Sequence, residues 1–242
     1  MIGNANDHRT TGSSTSAIKT TQIRLSSSDS SNVEIPLPDV GHMSFDSDMF
    51  HDANLQMAVD IFNEAKALRN DGNHKEACEE YQSAIMIGRK VVQKRQENAA
   101  DDDDYDDSSA ASADDPRLAL EWLICSYLAM FQSRVKLGDW SKARADAWAA
   151  CNYAQYSPNG SLGGDGMDAK SFRLEQMVLS AMWMVCQNTG DKLNEWQTLQ
   201  SLKRLLKLPF PEKVVNNDND GITRKQVEER IKELQDELEA KS

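Results

Sequence analysis

The sequence predicts an all-α fold: three antiparallel helical hairpins in series, then a C-terminal helix, behind a disordered N-terminal tail. Three observations predict it. From about Asp52 to Leu208, apolar residues recur at steps of three and four. Three glycines, each followed by Asn or Asp, punctuate that pattern at Gly72-Asn73, Gly138-Asp139 and Gly190-Asp191. The stretch after the first glycine, "GNHKEACEEYQSAI", returns after the second as "GDWSKARADAWAAC". In both, alanine stands at the fifth and twelfth positions past the glycine, at Ala77 and Ala84 and at Ala143 and Ala150. Such self-similarity predicts repeated helix–turn–helix units.

The 242 residues carry a formal charge of −12 and are 39% hydrophobic, low for a chain folded throughout. The deficit sits in two places. Residues 1–48 are rich in Ser and Thr and poor in large apolar side chains, which predicts a disordered tail. Residues 99–115, "AADDDDYDDSSAASADD", form an acidic insert whose aspartates repel one another and have no core to join, so it too is expected to be disordered. Outside the insert the chain is mildly acidic and shows no basic face, which argues against nucleic-acid binding. No apolar run is long enough to cross a membrane, and no secretory signal is expected. The chain is expected in the cytoplasm. Residues 1–28, with Arg9, Lys19 and Arg24 against Asp7, admit a second reading as an organelle transit peptide.

Four cysteines (Cys78, Cys125, Cys151 and Cys186) and four scattered histidines form no metal-ligand spacing, so neither metal nor cofactor is expected. Separated cysteines in helical segments read as reduced, buried thiols. No nucleophile–base grouping or phosphate-binding loop appears, and no enzyme is predicted.

Taken in order, the tail holds "VEIPLPDVG" (33–41), extended by its prolines and read as a linker or a short docking motif. Acidic residues three places after Ser26 and Ser31 fit acid-directed phosphorylation. The folded domain is expected over 49–208. Its first helix turns Leu55, Val59, Phe62, Ala65 and Leu68 to one side, and its second does the same with Ala77, Tyr81, Ala84, Ile85 and Val92. Pro116 suits the first turn of a third helix reaching about residue 137. Leu120, Trp122, Leu123, Tyr127 and Phe131 leave that helix apolar nearly all round, which marks it as central. Ser141 is the expected N-cap of the fourth helix.

"SPNGSLGGDGMD" (157–168) is a glycine-rich loop, and its Asn159–Ser161 acceptor would matter only in a secreted protein. Helices are expected over about 169–188 and 192–207, stopped by Pro209 and Pro211. The "SLKRLLKLP" stretch (201–209) reads as a terminal helix with core leucines, before a membrane- or calmodulin-binding segment. A linker follows over 209–222. Its "DNDG" fails as a calcium loop, because Val227 stands where the twelfth-position Glu is required. Thr223 and Gln226 make a capping box at the start of a C-terminal helix over 223–242. Val227, Ile231, Leu234 and Leu238 form its apolar seam. The seam is expected to cap the last hairpin, with weak dimerisation through 227–238 as the competing use.

The turn glycine with small residues five and twelve places on resembles the tetratricopeptide repeat, a helix–turn–helix of about 34 residues. The resemblance covers residues 52–208, with the acidic insert and the glycine-rich loop as interruptions. The third unit departs from it, with Glu195, Leu199 and Leu202 at the fifth, ninth and twelfth positions. The resemblance implies a protein-binding adaptor or scaffold whose first, third and fifth helices line a groove for a peptide or partner helix. It places Phe62, Lys66 and Arg69, then Leu128, Gln132 and Lys136, then Ser180, Met184 and Gln187 along that groove. One subfamily of co-chaperones holds the C-terminal carboxylate of heat-shock chaperones in a clamp. At the clamp positions this sequence has Phe62, Lys66, Ala129, Met177 and Ala181, so only a non-standard clamp would serve that alternative.

Overall fold

The computed structural model describes residues 45–101, 116–155, 169–208 and 222–240. The expectations for the tail up to residue 44, most of the acidic insert, the glycine-rich loop and the 209–221 linker lie outside the described residues. Seven α-helices and one turn of 3-10 helix, with no strand, make up the described residues. They are α1 (Ala53–Asn70), α2 (His74–Asp101), α3 (Pro116–Lys136), α4 (Trp140–Gln155), α5 (Ala169–Thr189), α6 (Lys192–Leu205) and α7 (Arg224–Glu239).

The apolar faces read from the sequence are the buried ones. Leu55, Val59, Phe62 and Ala65 of α1 and Ala77, Tyr81, Ala84, Ile85 and Val92 of α2 are all buried. In α3 every residue from Ala119 to Ser133 is buried, as its all-round apolar surface requires. Phe62 packs against Tyr81 at 5.4 Å and Trp122 at 6.2 Å between ring centroids, which locks α1, α2 and α3 together. Trp122 lies so close to α2 that a Cβ on Gly88 would come within 2.1 Å of its ring. Glycine is thus required there for helix approach.

Three tight turns share one hydrogen-bonding pattern. Gly72, Gly138 and Gly190 have φ of 85, 74 and 69°, the left-handed conformation that ends helices without a Cβ penalty. After each, the next N–H returns to a carbonyl five residues back: Asn73 to Leu68 at 2.9 Å, Asp139 to Arg134 at 2.9 Å, Asp191 to Cys186 at 3.0 Å. The fifth position after each glycine is buried in all three cases, as Ala77, Ala143 and Glu195. So are the ninth (Tyr81, Ala147, Leu199) and the twelfth (Ala84, Ala150, Leu202).

Consecutive helices pack on one another from α1 to α6, and α7 packs on α6. Odd-numbered helices also meet across the even ones, α1 with α3 and α3 with α5, while no comparable pairing joins α2 to α4 among the described residues. The helices therefore stack as a solenoid with α1, α3 and α5 drawn together on one side.

The structure moves several boundaries. α2 runs through Ala99 and Ala100 to Asp101, because alanine favours helix before the aspartate run begins. Asp139, not Ser141, caps α4: its carboxylate accepts the Lys142 N–H at 3.3 Å, and Trp140 is already helical. Packing is not confined to residues after Met49, since Phe45 is buried too. The capping box at α7 forms in both directions, with Gln226 N–H to Thr223 Oγ1 at 3.3 Å and Thr223 N–H to Gln226 Oε1 at 2.8 Å. Of the seam expected to cap the last hairpin or to dimerise through 227–238, Val227, Ile231 and Leu234 are buried within the chain.

Candidate interaction surface

The face shared by α1, α3 and α5 is the one on which the groove residues were expected. Packing removes four of the nine from it. Phe62, Leu128, Ser180 and Met184 are at most 5% exposed. Phe62, Leu128 and Met184 are core side chains, and the Ser180 hydroxyl donates to its own helix, to the Gln176 carbonyl at 2.6 Å. Helical periodicity marks a residue as apolar or polar, but cannot say which way a bulky apolar residue rotates between two neighbours. Lys66 and Gln187 are half-buried on their helices.

The remaining three converge. Arg69 Nη1 donates to Gln132 Oε1 at 2.8 Å, which joins the last turn of α1 to α3. Lys136 follows Gln132 by one helical turn on the same face of α3. The first residue of α2, His74, completes the group. Its pKa is lowered by burial first, then by the charges of Lys136 and Arg69. Partial burial lowers the Lys136 pKa as well. His74 Nδ1 is shielded from solvent and has no hydrogen-bond partner. Among the described residues no carboxylate forms an ion pair with Arg69, His74 or Lys136. Three protonatable nitrogen groups thus share one end of the face without a counter-charge. Helical periodicity does not join His74 to this group, because it sits across the turn on an even-numbered helix.

At the other end of the face the charges are matched. Glu121 of α3 accepts from Arg117 at 3.0 Å and from Lys170 of α5 at 2.6 Å. Arg117 also reaches the Ser171 hydroxyl at 2.6 Å. Over this network lies Phe45, its ring 5.5 Å from Lys170 Nζ and 6.3 Å from the Phe62 ring. No direct pairing comparable to the others joins α1 to α5 among the described residues, so Phe45 bridges them.

The opposite side holds a groove of about 420 Å³ between α2 and α4. Tyr127 and Tyr153 stack there at 5.7 Å, and Arg89 hydrogen-bonds to both hydroxyls. Among the described residues no group of His, Cys, Asp and Glu is placed to hold a metal ion, and no helix is long and apolar enough to cross a membrane. None of the four cysteines is in a disulfide; Cys125 and Cys186 are buried, whereas Cys78 and Cys151 are half-buried. Burial pushes the Cys125 thiol up to about 12 and the Cys186 thiol up to about 11, the reverse of an activated nucleophile.

No family model, curated protein or solved structure matches the chain.

Proposed function

We propose that this protein is an adaptor or scaffold: three hairpins of tetratricopeptide type, with the α1–α3–α5 face binding an extended, acidic segment of another protein. The shared turn pattern at Gly72, Gly138 and Gly190 supports the three-hairpin reading, as do the buried fifth and twelfth positions after each. The observation that carries the function is the gathering of Arg69, His74 and Lys136 beside Gln132 with no carboxylate among the described residues paired to them. Lys136 is partly desolvated, and it and Arg69 both disfavour a proton on His74, so an anionic side chain or terminus arriving there offsets the local positive potential. Arg69 is pre-oriented by Gln132, which lowers the entropy lost on binding. Four free thiols support a reducing, cytoplasmic compartment.

The co-chaperone alternative has less behind it. Of the five clamp positions, Phe62, Ala129 and Ala181 are buried apolar residues and present no charge.

The test is a titration of dye-labelled acidic decapeptides, one of them ending in Glu-Glu-Val-Asp, against the full chain by fluorescence anisotropy. Binding is expected to weaken about tenfold or more in Lys136→Glu and Arg69→Glu and to fall with added salt. Equal affinity for the parent and both variants would remove the basic end from the function. A strong preference for the Glu-Glu-Val-Asp terminus would instead favour the co-chaperone reading.

A further inference from the structure

One segment of this chain already behaves as a ligand of the α1–α3–α5 face. Residues 45–50, "FDSDMF", precede α1 and fold back on it through one turn of 3-10 helix at Ser47–Met49. The contacts at its two ends are side chain to ring and side chain to backbone carbonyl, the kind made to a bound peptide. Phe45 is only 4% exposed, with its ring edge-on to Phe62 at 6.3 Å and facing Lys170 at 5.5 Å. The Phe45 carbonyl accepts from Asn63 Nδ2 at 3.3 Å. Phe50 is fully buried, and Gln56 donates to its carbonyl. The acidic residues between them face outward: Asp46 serves only its own turn, accepting the Asp48 N–H at 3.2 Å.

Within the segment, the backbone bonds are Met49 N–H to the Asp46 carbonyl at 3.0 Å and Phe50 N–H to the Ser47 carbonyl at 3.1 Å, beside the Asp48 N–H to Asp46 carboxylate bond. What seats it is therefore an aromatic slot, floored by Phe62 and edged by Lys170, together with the Asn63 amide. Lys170 is paired with Glu121 at 2.6 Å, so its charge is balanced by a carboxylate and not by the Phe45 ring.

We propose that Phe45–Phe50 is a resident, displaceable occupant of this face. The Phe45 slot is then the anchor site for an aromatic residue in an extended, acidic segment of a partner protein, which binds by exchanging with the chain's own ring. This deepens the adaptor reading and rests on it. Tethering sets the bar for exchange: a segment attached a few residues from its slot acts at an effective concentration of order millimolar. A partner must therefore offer more than the resident does. The slot alone gives it nothing extra, whereas reaching the unpaired Arg69–His74–Lys136 end does.

The test uses the full chain and a dye-labelled copy of residues 43–52, "MSFDSDMFHD", added in trans. The variant Phe45→Ala/Phe50→Ala empties the slot. It is expected to bind the copy about tenfold or more tighter than the parent does, and to ignore a copy carrying alanine at the first ring position. Hydrogen exchange on the parent chain covers the case in which the variant fails to fold. If the segment is displaceable, the Met49 and Phe50 amides exchange through local opening, far faster than amides in the centre of α3. The proposal is overturned if a variant of parental helicity binds the copy no better than the parent. It is equally overturned if those two amides exchange as slowly as α3. Acidic decapeptides that still lose affinity with Lys136→Glu, alongside either negative result, leave the adaptor reading in place and remove only this inference.

Discussion

Arg230 of α7 donates to both carboxylate oxygens of Glu195 on α6, at 2.8 and 3.3 Å, with the two side chains 6% and 1% exposed. Glu195 occupies the fifth position after its turn glycine, where the other two units bury alanine. The Trp183 indole N–H also reaches Glu195, at 3.2 Å, and Arg230 extends to Glu233 at 2.9 Å. Burial opposes the arginine's charge, but hydrogen bonds to Glu195 and Glu233 outweigh it and raise its pKa. α7 thus closes the solenoid by neutralising the one buried charge that the third unit introduces.

Removing Arg230 leaves that carboxylate buried and unpaired. Arg230→Ala is expected to cost about 3–5 kcal/mol in urea denaturation. Replacing the pair by apolar groups, as Glu195→Ala with Arg230→Met, should recover most of that loss. A single variant no less stable than the parent would show that α7 is not anchored through this pair.

Gly88 and Trp122 make the second test. The ring leaves no room for a methyl group on α2, with 2.1 Å to the nearest ring atom. Gly88→Ala would gain helix propensity on an open surface, yet here overpacking wins and a loss of about 1–3 kcal/mol is expected. Near-ultraviolet circular dichroism should report the displaced indole. An increase in stability would mean that α2 and α3 part easily.

Asp146 sets a pH dependence. It lies in α4, 4% exposed on its side chain, with one oxygen 2.7 Å from Arg134 and the other, Oδ2, without a partner. Burial pushes its pKa from the ordinary 3.8 up to about 7, against the opposing pull of Arg134. The folded state then holds the proton more tightly than the unfolded chain. The stability this group contributes is fully present below about 3.8 and is lost as pH rises through about 7. Relative to Asp146→Asn, the parent should therefore lose stability between those values, as read from the difference in melting temperature. A difference flat across that window would mean that the Arg134 pairing governs instead.

Thiol labelling gives the fourth test. Cys125 is fully buried in α3, its pKa raised to about 12 by burial. Under native conditions Ellman's reagent should react first with the half-buried Cys78 and Cys151, and with Cys125 only as the chain unfolds. Rapid labelling of Cys125 would place an opening in the centre of the stack.

The sequence by itself determined the helices, the three turns and the positions that pack between paired helices. These are local signals: periodicity of side chains along one helix, and glycines whose left-handed conformation needs no tertiary partner. Glu195, at the fifth position after Gly190, is buried like Ala77 and Ala143 after their glycines. The helical register also puts Arg69, Gln132 and Lys136 on one expected face, and the structure joins the first two by a hydrogen bond.

Tertiary structure alone decided the rest. It buried Ser180 and Met184, brought His74 across a turn to Arg69 and Lys136, and set Phe45 over Phe62 and Lys170. It paired Arg230 with Glu195 and laid Trp122 on Gly88. Each of these joins residues distant along the chain or fixes the rotation of a helix between two neighbours. Such choices follow from mutual packing and from the need to pair buried charge, and neither leaves a periodic trace in the sequence.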